Sequence, residues 1–260
     1  MKKDLKKEEA LAEIQETLQH YKYIAHFDIL GFKNIINKNK LNDVKDKIYP
    51  IIEKGIKELK DGSNEGIKHF WEKSNFDKIV KPEIFAVWFS DTIIFYTNIH
   101  SDYALFNLLL FSNKFFARLF KEGIPLRGAI VDGPLYVDDK KIEYMIGKSL
   151  VDAYELEKIQ NWSGAIIQIG LSEKYYTPTN EAIGALIHLQ EVAEYHVPLK
   201  CGKVKEYYCL NWVNSFNELG ESNSSFTDLM CKFSDKELDW PIKEKITNTE
   251  NLYMKLSQSI

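Results

Sequence analysis

The stretch that decides the fold is Tyr23-Ile-Ala-His-Phe-Asp-Ile-Leu-Gly-Phe32. Its apolar residues predict a largely buried strand that ends in an aspartate, and Gly31 breaks this strand before a helical pattern runs from about Asn34 through Leu59. The next segment with a strongly apolar pattern is Ile84–Thr97, where two apolar runs flank Ser90-Asp91. This pattern is typical of a tight hairpin.

Further elements follow in a regular order. A helix rich in Leu and Phe is predicted over 102–121, a strand over 126–132, a helix from Gly147 to about Asn161, a strand over 165–169, and a strand pair or one long strand within 196–212. The order β-α-β-β-α-β predicts an α+β fold with a ferredoxin-like sheet covered by helices. We divide the chain into an amphipathic N-terminal helical lead-in (1–22), a main domain (23–212) and a C-terminal helical tail (213–260).

The composition excludes several classes of protein. The chain has 260 residues, of which 45% are hydrophobic and 28% charged, which is typical of a globular protein with a sizeable core. Its net charge of -4 argues against a duplex-DNA-binding protein. No apolar run reaches the roughly 18 residues of a membrane span. The three cysteines lack metal-ligand spacing, so we expect reduced thiols in a cytoplasmic protein. From the charge and the absence of a long apolar run, we expect binding to neither a nucleic acid polymer nor a membrane.

Asp28 and Asp91 are the strongest chemical signal. In a ferredoxin-like sheet we expect the first strand to lie between the hairpin strands, so that both carboxylates meet at one edge of the sheet. Two carboxylates at close range repel each other, and a hard divalent cation such as Mg²⁺ or Mn²⁺ relieves the repulsion. Two such ions on one phosphate can activate an attacking oxygen and stabilise a leaving one. The alternative is that Asp28 caps a helix and Asp91 occupies a turn.

Three neighbouring features bear on the same chemistry. The Gly31-Phe32 break leaves backbone N–H groups at a helix start, which favours a phosphate chain. Arg127 is one of only two arginines, and its guanidinium suits phosphate, although pairing with a nearby carboxylate is an equal alternative. His26 lies two residues before Asp28, hence on the same face of the strand, and we interpret it as a hydrogen-bonded core histidine.

Four segments in this order resemble the catalytic domain of class III nucleotidyl cyclases. They are His26–Lys33, Phe89–Thr92, Leu126–Gly133 and Ile146–Glu157. Such domains carry an Asp-Ile-x-Gly-Phe segment on the first strand, a Gly-Asp-type hairpin with a second metal-binding aspartate, a strand with Arg-x-Gly, and a later glycine that opens the dimer-face helix. The resemblance covers roughly residues 23–212. The last two segments are most similar to the stand-alone bacterial cyclases of Pycsar anti-phage systems, which make 3′,5′-cyclic UMP or cyclic CMP.

The resemblance implies a two-metal site and a set of nucleotide contacts. Asp28, the backbone carbonyl of Ile29, and Asp91 would hold two Mn²⁺ or Mg²⁺ ions, with Asp28, Asp91 and Arg127 as catalytic residues. The residues expected to contact the nucleotide are Ile29, Leu30, Gly31, Phe32, Lys33, Tyr144, Lys148 and Lys203. Arg127, Lys148 or Lys203 would neutralise the developing charge. A head-to-tail homodimer is implied, in which the partner subunit contributes Tyr144 and the Gly147 helix.

Departures from the wider family narrow the substrate. Adenylyl and guanylyl cyclases have base-reading polar residues where this chain has Val87 and Tyr144, which favours a pyrimidine, UTP before CTP. The family also uses an Asn and an Arg on the dimer-face helix, where this chain has Val151 and Glu155. At these two positions the chain therefore lacks the side chains with which the family stabilises the transition state.

We therefore expect a uridylate cyclase that makes cyclic UMP as a second messenger in anti-phage defence, read by a separate cyclic-nucleotide-sensing effector. The alternatives are a cytidylate cyclase that makes cyclic CMP, a polymerase-palm or dinucleotide-cyclase relative with a different product, and a catalytically dead dimer that only senses nucleotides. An RNA-binding ferredoxin-like module is disfavoured because the first strand lacks the ribonucleoprotein motif and the chain is acidic.

Overall fold

The computed structural model describes residues 20–58, 82–138, 144–170, 187–220, 224–233 and 240–258. Within these ranges the chain forms one seven-stranded sheet and a separate two-stranded ribbon. The strands are β1 (Tyr21–Ile29), β2 (Ile84–Phe89), β3 (Thr92–Thr97), β4 (Leu126–Pro134), β5 (Tyr136–Val137), β6 (Met145–Ile146), β7 (Ala165–Gln168), β8 (Val192–Pro198) and β9 (Val204–Leu210). Of the predicted helical lead-in (1–22), residues 1–19 lie outside the described residues, and Tyr21 and Lys22 belong to β1 instead of a helix. Residues 59–81 also lie outside the described residues.

Helices cover the sheet. They are α1 (Phe32–Lys38), α2 (Leu41–Lys47), α3 (Asp102–Lys121), α4 (Lys148–Ile159), α5 (Trp212–Glu218), α6 (Phe226–Met230) and α7 (Trp240–Ser257), and residues 49–58 are also helical. None of these described helices has the length and apolarity needed to cross a membrane. The α+β class predicted from the sequence is confirmed.

The single helix predicted over 34–59 was wrong. The chain forms α1, α2 and the helical residues 49–58 instead, and α1 is preceded by Gly31 rather than by Asn34. The break follows from Asn39, whose backbone is extended (φ -114°, ψ 151°). The Asn39 side-chain amide donates to the carbonyl of Ile35 at 2.8 Å and to that of Phe233 at 3.0 Å, which replaces the helical continuation with a tether to a distant segment.

The strand order of the sheet is β2-β3-β1-β4-β7-β9-β8. Its first four members have the arrangement expected of a βαββαβ unit, with every neighbouring pair antiparallel. β1 lies between β3 and β4, so the expectation that it lies between the two hairpin strands was wrong. The reason is that the crossover through α1 and α2 carries the chain past the β3 position before the hairpin returns along it. β4 pairs with β7 in parallel.

The two faces of β1 have different neighbours because side chains alternate along a strand. Tyr23, Ala25 and Phe27 face the main core together with α3, which begins where the Ser101 hydroxyl accepts a 3.2 Å hydrogen bond from the N–H of Ala104. Ile24 belongs to a second, smaller cluster that includes Ala153 of α4. Residues 26 and 28 share this second face, so the candidate site lies under α4 rather than in the main core.

The C-terminal helices complete the main core. Trp212 is fully buried and its ring lies 5.2 Å from that of Phe116 and 4.7 Å from that of Phe120. The Thr249 hydroxyl of α7 accepts a 2.9 Å hydrogen bond from the N–H of Ser163. In the part of the predicted helical tail (213–260) that the structure describes, α7 contacts the sheet domain through Thr249 and supports the loop between α4 and β7.

Candidate active site

Asp28 and Asp91 come together although 63 positions separate them (91 − 28). Asp28 pairs with Thr92 across β1 and β3, and Asp91 is the turn residue immediately before Thr92. The N–H of Ile29 donates to the carbonyl of Asp91 at 3.0 Å. The Asp91 carboxylate lies close enough to Asp28 for its negative charge to raise the pKa of Asp28. Asp28 thus lies inside a strand and caps no helix, whereas Asp91 does occupy a hairpin turn.

Burial and neighbouring negative charge make Asp28 a weak acid. Burial comes first, followed by the charges of Glu157 and Asp91, and together they raise the pKa of Asp28 from 3.8 to about 7 against the opposing effect of Arg127. Its side chain is 25% exposed, so it is reachable from solvent. A carboxyl pair of this kind is stabilised either by a shared proton or by a cation.

The donor set fits a hard divalent ion that keeps water or phosphate oxygens among its ligands. Two carboxylates are few protein ligands, and this is the usual situation for Mg²⁺ in nucleotide sites. Across the described ranges, no group of three or more His, Cys, Asp or Glu side chains is arranged to hold a metal by itself. The predicted ligands Asp28 and Asp91 are therefore suited to an ion whose remaining ligands are water or phosphate oxygens.

Arg127 lies directly opposite Asp28 on β4 and is 8% exposed. Its Nη2 is 3.5 Å from Oδ2 of Asp28, at the outer limit of a hydrogen bond. Both Nε and Nη2 donate to Oε1 of Glu157, and Nη1 donates to the backbone carbonyl of Gln160 at 3.3 Å. These contacts agree with the alternative interpretation, in which Arg127 is a strand arginine that pairs with nearby carboxylates. A direct role of Arg127 in phosphate binding stays a prediction.

Glu157 and Gln160, at the end of α4, were missed as site residues. Glu157 is 3% exposed, and burial raises its pKa while the Arg127 guanidinium opposes the rise. The Gln160 side chain donates to the carbonyls of Gly128 at 2.7 Å and Leu156 at 2.8 Å and accepts from the indole N–H of Trp162 at 2.7 Å. Glu157 closes the motif that resembles the cyclases, but nothing in that motif says that its partner is an arginine on another strand.

Lys200 was also missed, in favour of Lys203 in the same loop. The N–H of Lys200 donates to the carbonyl of Ile159 at 2.8 Å, which brings the loop between β8 and β9 beside the end of α4. Burial and then the charge of Arg127 lower the pKa of Lys200, while Glu157 and Asp28 raise it, so this ammonium lies within electrostatic range of the carboxylates. Lys203 is exposed, and its carbonyl accepts from the N–H of Leu199 at 2.8 Å.

The predicted phosphate loop follows Asp28 directly. Gly31 has a left-handed backbone (φ +81°), and its carbonyl accepts from the N–H of Asn34 at 2.9 Å to start α1. A Cβ at Gly31 would meet nothing within 4 Å, so the space beside it is open. Ile29 is buried, Leu30 and Phe32 are half-buried, and Lys33 is exposed.

The remaining predicted residues lie on the ribbon and on α4. Tyr144 is 56% exposed just before β6, and the Lys148 ammonium of α4 pairs with Asp152 at 2.5 Å. Several apolar side chains on these elements are exposed: Tyr136, Tyr144, Ile146, Val151 and Tyr154. His26 is buried beneath α4, and burial lowers its pKa to about 4, so it is a neutral core histidine, but its buried Nδ1 lacks the expected hydrogen bond within the described residues.

Of three comparisons with known proteins, one found a match, and it is to solved structures. No protein-family model matches the chain, and a search of curated proteins found no match. Among solved structures the chain is similar to the monomeric guanylyl cyclase domain of the RhoGC fusion protein from the aquatic fungus Blastocladiella emersonii. The two share 13% identity, with 74% of this chain and 95% of that chain covered and a TM-score of 0.46. At these values the similarity does not support a function for this chain. Any argument for function has to come from the side chains around Asp28.

Proposed function

We propose that this chain is a nucleotidyl cyclase that converts a pyrimidine triphosphate, UTP before CTP, into the 3′,5′-cyclic monophosphate and pyrophosphate. The observation that carries the proposal is the convergence of the Asp28 and Asp91 carboxyls at the start of the Gly31–Lys33 loop. Two acids that need a cation beside open space at a backbone turn suit a metal-bound triphosphate.

Asp28, Asp91 and the backbone carbonyl of Ile29 would hold two Mn²⁺ or Mg²⁺ ions. When bound, such ions lower the pKa of the ribose 3′-hydroxyl and stabilise the charge of the pyrophosphate leaving group. The chain contributes the fixed separation of the two acids, because the Ile29–Asp91 hydrogen bond joins the end of β1 to the hairpin turn.

The protein otherwise acts by positioning and electrostatics, since phosphoryl transfer requires little covalent chemistry from the enzyme. The Gly31–Lys33 loop orients the triphosphate so that the 3′-oxygen attacks the α-phosphorus in line and the bond from that phosphorus to the β-phosphate oxygen breaks. Lys200, within electrostatic range of Asp28, and Lys203 in the same loop add positive charge where pyrophosphate leaves. Lys148 is a further candidate, contributed from α4.

A pyrimidine is favoured by the residues at the base-reading positions. Val87 on β2 cannot hydrogen-bond a purine edge, and Tyr144 offers a ring and one hydroxyl. Exposed apolar side chains on α4 and the ribbon, including Val151 at 59% exposure, suit a homodimer in which the partner subunit brings its own ribbon and α4 to the nucleotide. We further propose a role as second-messenger synthase in anti-phage defence, with a separate effector that reads the product.

The test is to incubate the purified protein with each of the four NTPs and Mn²⁺ and to identify the products by chromatography and mass spectrometry. Cyclic UMP from UTP is expected, with weaker or no product from ATP and GTP. A cyclic CMP product would select the cytidylate alternative, and a dinucleotide would select the dinucleotide-cyclase relative. Absence of any product with every NTP would remove the enzyme proposal.

A nucleotide-sensing dimer without turnover is the second candidate. The observation that favours it is that Val151 and Glu155 are exposed on α4 at positions where the cyclase family has an Asn and an Arg. Glu155 would place negative charge near a phosphate, which opposes catalysis. A calorimetric titration that shows UTP binding without pyrophosphate release would support this candidate over the cyclase.

A further inference from the structure

We infer that Glu157 is a positioning residue that holds Arg127 away from Asp28 and thereby keeps the Asp28 carboxylate available to a divalent cation. The inference rests on the proposed function, because it concerns how the chain prepares its metal site. It assigns a purpose to the buried ion pair between Arg127 and Glu157.

The geometry shows an unequal division of one guanidinium between two acids. Arg127 and Asp28 are directly opposed on antiparallel strands, the placement in which a cross-strand pair normally closes. Nη2 of Arg127 is nevertheless 3.5 Å from Oδ2 of Asp28, which is a long distance for such a pair. Glu157 instead receives both Nε and Nη2 on a single oxygen.

The end of α4 also binds the guanidinium of Arg127 through Nη1. Nη1 donates to the carbonyl of Gln160, and the Gln160 side chain is itself fixed by hydrogen bonds to the carbonyls of Gly128 and Leu156. All three nitrogens of Arg127 thus contact the end of α4, and only Nη2 also reaches β1. The orientation of Arg127 is therefore set by α4 and not by Asp28.

Loss of the Glu157 charge would change which acid pairs with the arginine. A buried guanidinium left without its partner carries a large desolvation penalty, and Asp28 is the carboxylate already within reach. A closed Arg127–Asp28 pair would occupy the oxygens that a metal ion needs, since charge-assisted pairs of this kind are strong. Glu157 prevents this competition.

The test measures Mn²⁺ affinity directly, by electron paramagnetic resonance of free Mn²⁺ titrated with the full-length protein at fixed pH and ionic strength. Glu157→Gln should weaken Mn²⁺ binding by roughly 10- to 100-fold, the usual effect of losing a group that orients a metal ligand. The double variant Arg127→Gln/Glu157→Gln should recover an affinity close to that of the wild type, because the competing guanidinium is gone. A purely structural role for the pair predicts the opposite, a double variant no better than the single one.

Two controls separate the possible failures. Asp28→Asn should lose the site, and if the wild type binds Mn²⁺ no better than this variant, the metal site and the proposed function fall with the inference. If Asp28→Asn loses the site while Glu157→Gln retains it, only the inference is overturned. Should Glu157→Gln fail to fold by circular dichroism, the double variant decides, because removal of both partners leaves no unpaired buried charge. A folded double variant with Mn²⁺ binding weakened tenfold or more would contradict the inference.

Discussion

The N–H of Ile29 donates a 3.0 Å hydrogen bond to the carbonyl oxygen of Asp91. This main-chain contact holds the end of β1 against the hairpin turn, so the separation of the two neighbouring carboxyl groups does not depend on their own interaction. Burial and then the charge of Glu157 are the main causes that raise the pKa of Asp28, and repulsion from Asp91 is retained in the folded protein and adds to them. The site is electrostatically strained until a proton or a cation occupies it.

Substitution of either acid should abolish cyclic-nucleotide formation. Asp28→Asn and Asp91→Asn keep the side-chain shape and remove the negative charge that a divalent ion needs. Product formation with UTP and Mn²⁺ should fall below detection, while circular dichroism shows an unchanged fold. Asp43→Asn, which removes an exposed helical carboxylate paired with Lys47 at 3.3 Å, is the matched control and should leave activity unchanged. Turnover by either site variant would exclude the metal assignment.

Asp28 should make the metal-free protein less stable as pH rises. The unfolded chain releases this proton near pH 3.8, but the folded protein keeps it up to a pKa of about 7. Between these values the folded state binds more protons than the unfolded state, so the free energy of unfolding falls with rising pH. The penalty is complete above pH 7 and has an upper limit of about 4 kcal/mol.

This pH effect can be measured by urea denaturation at pH 5 and pH 8 in the presence of a chelator. The wild type should lose stability between the two values, and Asp28→Asn should lose less because it removes the titrating group. Glu157, whose pKa burial also raises, contributes with the same sign in both proteins, and its contribution should be smaller in Asp28→Asn because the charges of Glu157 and Asp28 interact. Equal losses in the two proteins would contradict the assignment.

Gly31 should be required for nucleotide binding beyond its contribution to stability. Gly31→Ala places a Cβ on a left-handed backbone (φ +81°) with nothing within 4 Å, so its destabilisation comes from the backbone and should be about 1–2 kcal/mol. Gly220 has the same properties (φ +86° and open space) and follows α5, outside the proposed nucleotide loop. Both variants should lose similar stability, but only Gly31→Ala should raise the KM for UTP. An equal effect of both variants on KM would remove the phosphate role of the loop.

Lys200 should contribute more to triphosphate binding than Lys203. Both residues are exposed in the same loop, but Lys200 interacts electrostatically with Asp28 and Glu157, whereas Lys203 was selected from the sequence alone. Lys200→Met should raise the KM for UTP by roughly tenfold, the value of one charged hydrogen bond, and Lys203→Met should have a smaller effect. Steady-state kinetics at low and moderate salt provide the measurement. The reverse ranking would favour the sequence-based choice.

Local pattern was sufficient wherever the structure is decided by neighbours in the chain. The bounds of α3, Asp102–Lys121, agree with the sequence because a serine cap and a continuous Leu/Phe face act within a few turns. The hairpin around Ser90-Asp91 follows from alternating apolar runs on either side of a two-residue turn. Interruption of the 34–59 helix was missed because it depends on the bond from Asn39 to Phe233, 194 positions away.

The sequence by itself determined that an aspartate ends an apolar strand and that another occupies a hairpin turn, because strand periodicity and turn chemistry are local. Only the tertiary structure decided that β4 and not β2 is the second neighbour of β1, that Arg127 is held by Glu157 across 30 positions, and that Lys200 lies within electrostatic range of Asp28. Those outcomes depend on which surfaces of α4 and the sheet bury each other. The free energy of this burial comes from contacts between segments that are distant in the chain, so no local sequence pattern predicts it.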